Sequence, residues 1–367
     1  MHVIEQFSNN SRQAASGRGR NQQLLCALFV FLPVVMLASC APSRAYFDRT
    51  ASEKIIWPGP PERPRIQYLW SLSNLSSESE GRRGLSDFIA GDVRGDVTDP
   101  QTSNILLRPY SIFVDGRERM YIADPGAFRV SVIDMKTLDV FHIFGAGEQE
   151  FISPVGVTAD PAGRIYVSDS ELKKVFIFSE QGKYIKDLEG EFKRPTGLAL
   201  DAQRSHLYVT DTLEHMVVIY NLDGKRLGSI GRPGSLDGEF NFPTHLSLDK
   251  AGLLYVNDAM NFRIQIFDGE GRFLGKVGGL GDEYYNLEKP KGIGVDTFGN
   301  IYVVDSTRDT VKIFDRQGRL LLFFGSKGFS YGEFWLPAGM FIDAKNTIYV
   351  ADPYNMRVQA FRLLSGE

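Results

Sequence analysis

One short pattern, an apolar run that ends in aspartate, recurs six times between residues 106 and 367 and restricts the possible folds more than any other feature. The run at 301–305 reads IYVVD, and the chain turns apolar again six positions after Asp305. The equivalent residues are Asp124, Asp169, Asp211, Asp258, Asp305 and Asp352, at spacings of 45, 42, 47, 47 and 47. A period of this length indicates a solenoid, an array or a propeller.

Each unit begins with a proline, and six residues later a further aspartate marks the end of a short apolar strand. The prolines are Pro109, Pro154, Pro195, Pro243, Pro290 and Pro337, and the aspartates are Asp115, Asp160, Asp201, Asp249, Asp296 and Asp343. Three more strand-like segments follow in each of the first five units, with tight-turn sequences such as Asp-Gly between the last two. Four short antiparallel strands every 40–50 residues form one blade of a propeller. The sequence therefore predicts an all-β, six-bladed β-propeller of four-stranded antiparallel blades.

The repetition of the aspartates also bears on their role. An aspartate at the mouth of a buried strand can be a metal ligand, a general base or a turn cap. A catalytic residue is needed once, whereas a residue needed in every blade serves the blade. An aspartate side chain can accept hydrogen bonds from the backbone N–H groups of the turn that follows it. We therefore expect both sets of six to be structural turn residues.

The combined pattern P-x-G-x-x-x-D…G-x-(I/L)-Y-V-x-D…R-(V/I)-x-(I/V)-F…G resembles the NHL repeat. The resemblance covers residues 106–367 as six units and implies a six-bladed propeller. Three departures are local. Ser111 and His245 replace the glycine that follows the entry proline by two residues, and blade three lacks the turn glycine in DAQRSH (201–206).

The sixth unit stops after its third strand, which would leave an unpaired edge of the kind that propellers avoid. The segment RIQYLWSLS (65–73) has the composition of the missing strand, and we expect it to close blade six. Residues 40–64 are predicted to be a tether ending in the proline-rich arm WPGPPERP (57–64). Residues 74–105 are polar and glycine-rich, which predicts a connector with one short helix near Leu85–Ala90.

The first forty residues have the features of an export signal. Three arginines precede the apolar run LLCALFVFLPVVMLA (24–38), which is shorter than the about 20 residues of a membrane-spanning helix. The run ends in Leu37-Ala38-Ser39-Cys40. This resembles the bacterial lipoprotein signal, in which the cysteine receives lipid after cleavage. Residues 1–39 are thus predicted to be a lipoprotein signal peptide; an ordinary signal peptide and an uncleaved anchor are the alternatives.

The lipoprotein resemblance implies a lipidated Cys40 and a location in the bacterial cell envelope. Ala41 follows the cysteine where similar lipoproteins of the inner membrane have aspartate, which implies sorting to the outer membrane, facing the periplasm or the cell surface. The formal net charge of −4 argues against nucleic acid as a partner, because phosphate binding normally requires a basic surplus. The RNA-binding activity of some NHL proteins is therefore not expected here.

In an antiparallel blade, the start of strand one lies on the same face as the turn between strands two and three. Ligands are expected to meet the side chains of this face that do not repeat: His245, His215, Tyr110, Lys291 and Tyr354. His215 and His245 fall on this face in adjacent blades. They could form a metal-binding or acid–base pair, or be a solvated histidine and the filler of an enlarged glycine site.

Propeller enzymes similar to this chain differ from it at the residues that carry their activity. Peptidyl-amidoglycolate lyases hold zinc with histidines directly after the entry proline, where this chain has Tyr, Val, Thr, Thr, Lys and Ala. The Glu, Asn and Asp set of gluconolactonase-like propellers is not recognisable either. We expect no catalytic residue, metal or cofactor, and a monomeric, lipid-anchored, non-catalytic scaffold that binds a protein or carbohydrate. The alternative is a metal-dependent lyase or lactonase-type enzyme with its site near His215 and His245.

Overall fold

A computed structural model of the protein describes residues 44–51, 55–75, 104–281 and 283–364. Three strands lie before the repeats: β1 (Tyr46–Asp48), β2 (Ile56–Trp57) and β3 (Ile66–Asn74). Blade one contains β4 (Ser111–Val114), β5 (Arg119–Asp124), β6 (Arg129–Asp134) and β7 (Val140–Ile143). A small hairpin of β8 (Gly145–Ala146) and β9 (Gln149–Glu150) follows it.

The next four blades have the same order of strands. Blade two is β10 (Pro154–Ala159), β11 (Ile165–Asp169), β12 (Lys174–Phe178) and β13 (Tyr184–Asp187). Blade three is β14 (Pro195–Asp201), β15 (His206–Asp211), β16 (Met216–Asn221) and β17 (Arg226–Ile230). Blade four is β18 (Pro243–Leu248), β19 (Leu254–Asp258), β20 (Arg263–Phe267) and β21 (Phe273–Gly278). Blade five is β22 (Pro290–Val295), β23 (Ile301–Asp305), β24 (Thr310–Phe314) and β25 (Leu320–Phe324).

Blade six contains β26 (Met340–Ile342), β27 (Thr347–Asp352) and β28 (Arg357–Leu363), with β3 as its fourth strand. Short 3₁₀ helices join the second and third strands of blades four, five and six, at Ala259–Asn261, Ser306–Arg308 and Pro353–Asn355. All blade strands pair antiparallel with the next strand of the blade, and the first strand of each blade contacts that of the next around a closed ring. The predicted six-bladed propeller is confirmed.

The ring closes as the sequence indicates, through β3 on the outer side of β28. The register places Val358 opposite Leu72 and Leu363 opposite Ile66. Ile66, Tyr68 and Leu72 of β3 are fully buried. The preceding segment is more ordered than a simple extended arm, because β2 pairs with β3 and Trp57 packs against Phe324 and Phe361. The predicted helix near Leu85–Ala90 lies outside the described residues.

The core lies between the blades, and the second strands supply much of it. These strands are apolar along almost their whole length because both of their faces pack against other strands. Each contains one buried tyrosine: Tyr121, Tyr166, Tyr208, Tyr255, Tyr302 and Tyr349. In five blades the tyrosine hydroxyl donates to the aspartate of the first turn, at 3.0–3.2 Å. Blade three, whose first turn departs from the repeat, leaves Tyr208 Oη buried without a partner among the described residues.

Neighbouring blades approach most closely at their first strands, which explains a repeated glycine. The Gly339 amide donates to the Tyr110 carbonyl oxygen at 2.9 Å and so joins blade six to blade one. A Cβ atom at Gly339 would lie 2.3 Å from that oxygen. A similar contact at Gly197 faces the backbone of blade four. Any larger residue at these two places would push the blades apart.

Candidate functional site

The aspartates that end the second strands are buried and hold the entrance of each blade in place. Each accepts hydrogen bonds from backbone N–H groups directly before the entry proline of its own blade. The donors are Leu107 and Arg108 for Asp124, Ile152 and Ser153 for Asp169, Lys193 and Arg194 for Asp211, Asn241 for Asp258, Glu288 and Lys289 for Asp305, and Trp335 for Asp352. These distances lie between 2.6 and 3.2 Å.

This pattern differs from the expectation that the following turn supplies the donors. Among the described residues, backbone N–H groups of that turn reach the aspartate only in blades one and two. In blades four and six the turn instead contributes the side-chain amides of Asn261 and Asn355. The physical reason lies in the entry segment: proline has no N–H, and the two amides before it would otherwise lack an acceptor at the mouth of the channel.

His215 has a backbone role of the same kind. Asp258 accepts only the Asn241 amide of the entry to blade four, and the Phe242 amide donates to His215 Nδ1 at 3.2 Å. The imidazole also packs against the Phe242 ring, with 4.5 Å between centroids. Asp309, which lies in the matching turn of blade five, accepts the Leu336 amide at the entry to blade six, at 2.6 Å. Both His215 and Asp309 have a positive φ, near +54° and +53°, which directs the side chain to the next blade.

The basic residues of the third strands bind the same aspartates. Arg263 Nε lies 2.8 Å from Asp258, and Arg357 Nε lies 2.9 Å from Asp352. Lys312 Nζ, two positions further along its strand, lies 2.8 Å from Asp305. Despite Arg357 and several hydrogen bonds, burial raises the pKa of Asp352 above its ordinary value. These contacts connect the blade entrance to the third strand. The carboxylates of Asp258, Asp305 and Asp352 therefore already have ion-pair partners.

Three of the five predicted ligand-face residues meet over the channel. Tyr110 in blade one and His245 in blade four come from opposite sides of the ring, and their rings stack with centroids 5.5 Å apart. Lys291 Nζ, from blade five, lies 5.6 Å from the centroid of Tyr110. We refer to Tyr110, His245 and Lys291 as the entry cluster. Below it, a cavity of about 140 Å³ is lined by the first strands of all six blades, including His245.

Burial dominates the ionisation of the entry cluster. It lowers the pKa of His245 to about 3, with Lys291 adding to the effect. It lowers the pKa of Lys291 to about 8, and Lys289 and Arg108 contribute further. Burial also raises the pKa of Tyr110. At neutral pH the cluster therefore contains a neutral imidazole, a protonated phenol and an ammonium group.

The hydrogen bonds around His245 allow its Nδ1 atom to accept from the Thr244 hydroxyl. Asn257 Nδ2 donates to Thr244 Oγ1 at 2.8 Å and to the Pro290 carbonyl oxygen at 2.8 Å. The Thr244 hydroxyl is then free to donate to His245 Nδ1, 3.0 Å away. A neutral imidazole that accepts at Nδ1 carries its proton at Nε2. His245 Nε2 is buried and has no hydrogen-bond partner among the described residues.

The other two predicted residues lie apart from the entry cluster. Tyr354 is about half exposed and packs against Trp335, with centroids 5.4 Å apart. The Arg108 guanidinium lies 6.0 Å from the centroid of Tyr354. His215 has its own partners in the entry to blade four. His215 Nδ1 contacts the entry backbone of blade four and His245 Nδ1 contacts Thr244 Oγ1, so the two rings have different hydrogen-bond partners, and their pairing stays a prediction.

The opposite mouth contains a cavity that was not predicted from the sequence. Its volume is about 540 Å³, within the usual range of about 300–1,000 Å³ for ligand pockets. The lining comes from the first turns of blades one, two, three and six. Phe113 and Phe341 contribute aromatic surface and contact each other edge to face at 5.0 Å, with Leu200 from blade three beside them. We refer to this space as the turn-side cavity.

The charged residues around the turn-side cavity are paired. Asp115 binds Arg119 at 2.9 Å, and Arg117 binds Glu180 at 2.5 Å. The other pairs are Asp160 with Arg164, at 2.6 Å, and Glu118 with Lys345. Asp343 accepts the Lys345 and Thr347 amides and the Tyr349 hydroxyl. The cavity thus combines an apolar floor with a rim of charges that already have partners.

No group of three or more His, Cys, Asp or Glu side chains among the described residues is placed to hold a metal ion. No helix within the described ranges is long and apolar enough to cross a membrane. Cys40 and the predicted signal peptide lie outside these ranges.

Comparison with known proteins supports the fold. The family model DUF5128, described as a 6-bladed beta-propeller, matches residues 127–230. An auxiliary nutrient binding protein from Bacteroides thetaiotaomicron VPI-5482 superposes with a TM-score of 0.57 and 13% identity, covering 71% of this chain and 70% of that one. A catalytically inactive virginiamycin B lyase from Staphylococcus aureus, solved with quinupristin, superposes with a TM-score of 0.53 and 13% identity. The match covers 70% of this chain and 95% of the lyase. A streptogramin B lyase superposes with a TM-score of 0.54 and 11% identity, covering 70% of this chain and 94% of that one.

These structural neighbours include a binding protein and lyases, and their sequence identities to this chain are low. Such similarity shows a shared architecture and leaves function to the individual site. The comparisons and the ring of blades together identify the chain as a protein with a six-bladed β-propeller fold.

Proposed function

We propose that this protein is a non-catalytic binding module of the bacterial cell envelope, and that its turn-side cavity takes up an apolar group of a small molecule or of a protein partner. The observation that carries the proposal is the cavity itself, which has ligand size and an apolar floor. The entry cluster at the other mouth is closed by the stack of Tyr110 on His245.

The state of the charged groups favours binding over acid–base chemistry. A general acid or base requires a titratable group that is free to exchange a proton with the substrate. The carboxylates around the turn-side cavity are engaged with arginine, lysine or backbone amides. The second-strand aspartates are likewise engaged with the blade entrances. The groups available in the cavity therefore offer apolar contact and fixed hydrogen bonds.

An uncharged hydrophobic dye, N-phenyl-1-naphthylamine, tests the cavity. We expect saturable binding with increased fluorescence, because the dye can bury its rings against Phe113 and Phe341. Ala202 and Ala344 are exposed turn residues that line the cavity. Ala202→Trp and Ala344→Trp should each fill part of this volume and weaken binding without a loss of thermal stability.

Ala251 provides the matched control, since it is an exposed alanine in the equivalent turn of blade four and does not line the cavity. Ala251→Trp should leave dye binding unchanged. Equal binding by all three variants and the unmodified protein, or no saturable binding at all, would contradict the proposed use of the cavity.

The alternative of a metal-dependent enzyme is tested by metal analysis of the purified protein. We expect zinc and calcium well below one ion per chain. The Nδ1 atom of His215 contacts the entry backbone of blade four, so in the alternative His215 would bind a metal through Nε2. Stoichiometric metal that is lost in His245→Gly would favour the lyase or lactonase reading.

The envelope location is part of the proposal and is supported by the sequence. The apolar run that ends in Leu37-Ala38-Ser39-Cys40 fits lipid attachment at Cys40. In the proposed arrangement, the lipid anchors the chain to the outer membrane, and the residues up to β1 connect that anchor to blade six.

A further inference from the structure

The entrance to the channel next to the entry cluster is rich in hydrogen-bond donors. His245 Nε2 is buried and unpaired among the described residues, and it carries the ring proton when Nδ1 accepts from the Thr244 hydroxyl. In the same part of the structure, no hydrogen bond engages Tyr110 Oη or Lys291 Nζ. All three groups donate hydrogen bonds in the states they adopt at neutral pH. A buried donor without an acceptor costs free energy, so its presence points to a missing acceptor.

Basic side chains surround this mouth in a regular way. Arg108, Arg194 and Lys289 directly precede the entry prolines of blades one, three and five, so they occupy the same position in alternate blades. All three are exposed, and none forms an ion pair with another described residue. With Lys291 they place four positive charges around the entry cluster.

The acidic groups nearby offset these charges only in part. Asp124, Asp211 and Asp305 lie beneath the backbone of the three basic residues and are buried. On the surface, Glu214 pairs with Lys193, and Glu288 pairs with Arg308. The exposed Arg108, Arg194 and Lys289, together with the partly buried ammonium group of Lys291, are thus left to attract an anion.

We propose that this mouth binds an oxyanion, the carboxylate or phosphate group of an acidic ligand, with His245 Nε2, Tyr110 Oη and Lys291 Nζ as its donors and Arg108, Arg194 and Lys289 as the surrounding positive charge. The site is separate from the turn-side cavity and does not depend on the function proposed for it. An anion supplies the acceptors that the cluster lacks, whereas a metal cation would meet a protonated nitrogen and an ammonium group. The four glycines at positions equivalent to His245 (Gly156, Gly197, Gly292 and Gly339) cannot provide such a donor.

Isothermal titration with inorganic phosphate and, in a second arm, with succinate tests the site at low ionic strength. We expect saturable binding at one site per chain for at least one of the two anions. Which arm responds distinguishes a phosphate ligand from a carboxylate ligand. Lys291→Met should weaken binding roughly tenfold or more, because it removes a charge-assisted hydrogen bond. Tyr110→Phe keeps the aromatic stack and should weaken binding less.

His245→Gly restores the residue found in four other blades and should lower the affinity while the thermal unfolding curve stays cooperative. Lys186→Met is the matched control, since Lys186 is an exposed lysine on the outer strand of blade two. Nitrogen-15 spectra of the His245 ring give an independent readout and should show the proton on Nε2. Absence of saturable binding in both arms, unchanged affinity in Lys291→Met and His245→Gly, or a proton on Nδ1 would overturn the proposal.

Discussion

The buried tyrosine of the second strand is the residue whose role is most sharply defined by comparing blades. Tyr302 Oη donates to Asp296 Oδ2 at 3.1 Å, whereas Tyr208 Oη has no partner among the described residues. Tyr302→Phe should lower the free energy of unfolding by about 1–2 kcal/mol, because it removes a buried hydrogen bond to a carboxylate. Urea denaturation measures this difference.

Tyr208→Phe is the control for that measurement. It removes the same hydroxyl from the same strand position in blade three, where the group is buried and unpaired. The expected change is neutral or slightly stabilising, since an unsatisfied polar group leaves the interior. Equal losses in the two variants would show that the hydroxyl acts through packing and not through Asp296.

Lys291 gives a prediction with a definite pH dependence. Burial lowers its pKa to about 8, and the facing groups are Tyr110, His245, Arg108 and Lys289. Between about pH 8 and its ordinary pKa of 10.5, the unfolded chain binds the proton more tightly than the folded chain. Burial of the charged Lys291 ammonium group therefore lowers the free energy of unfolding by its full amount below about pH 8, and this loss declines as the pH rises to about 10.5.

Lys291→Met should thus stabilise the protein at pH 7 by at most about 3 kcal/mol, reduced by the remaining solvent access of the side chain. The stabilisation should shrink when the melting temperature is measured at pH 10. Lys186→Met should change stability at neither pH. A gain that is the same at pH 7 and pH 10 would show that the effect comes from packing.

At the scale of elements, β3 contributes a buried face and completes blade six, pairing with β28 on one side and with β1 and β2 on the other. Leu72 is fully buried opposite Val358, whereas the adjacent Ser73 is exposed. Leu72→Ala should lower the free energy of unfolding by about 2–5 kcal/mol, as for other large-to-small changes in a packed core. Ser73→Ala should have almost no effect in the same urea titration.

Deletion of residues 57–74 should destabilise the whole ring, and an unchanged melting temperature would contradict the closing role of this strand.

The elements of the fold were predictable because each blade repeats the same local signals. The entry prolines, the apolar second strands and the turn glycines specify four strands per unit, and the unpaired sixth unit pointed to residues 65–73. The donors to the second-strand aspartates were predicted only in part, because the following turn supplies backbone donors in blades one and two, whereas the entry segment supplies them in every blade. The relevant amides lie sixteen to eighteen positions earlier in sequence, as for Asp211 with Lys193 and Arg194, and only the folded strand pair brings them to the carboxylate.

At the scale of the whole molecule, the repeat gives the face on which a residue lies but not which side chains meet across the channel. Tyr110 and His245 were both placed on the entry face, yet their contact depends on the width of the ring. The turn-side cavity arises from four blades jointly, so no single segment of the sequence carries its signal.

The attachment of the molecule to a membrane is tested at Cys40. Cys40→Ala should leave uncleaved precursor or release soluble propeller, because the thiol that would receive lipid is absent. Fractionation of cells and the mass of the mature chain measure this outcome. A correctly trimmed Cys40→Ala chain that stays with the membrane would contradict lipid attachment at this residue.

The pairing of β3 with β28 has a consequence for the order in which the molecule can be completed. During synthesis, β3 emerges before any of the six repeats, and β28 emerges after nearly all of them. The edge of β3 that pairs with β28 therefore stays without its partner until β28 has been synthesised. A chain that terminates before residue 357 contains five complete blades but lacks β28, the partner of β3. Even a short truncation should therefore leave an incompletely folded protein that the cell recognises as such.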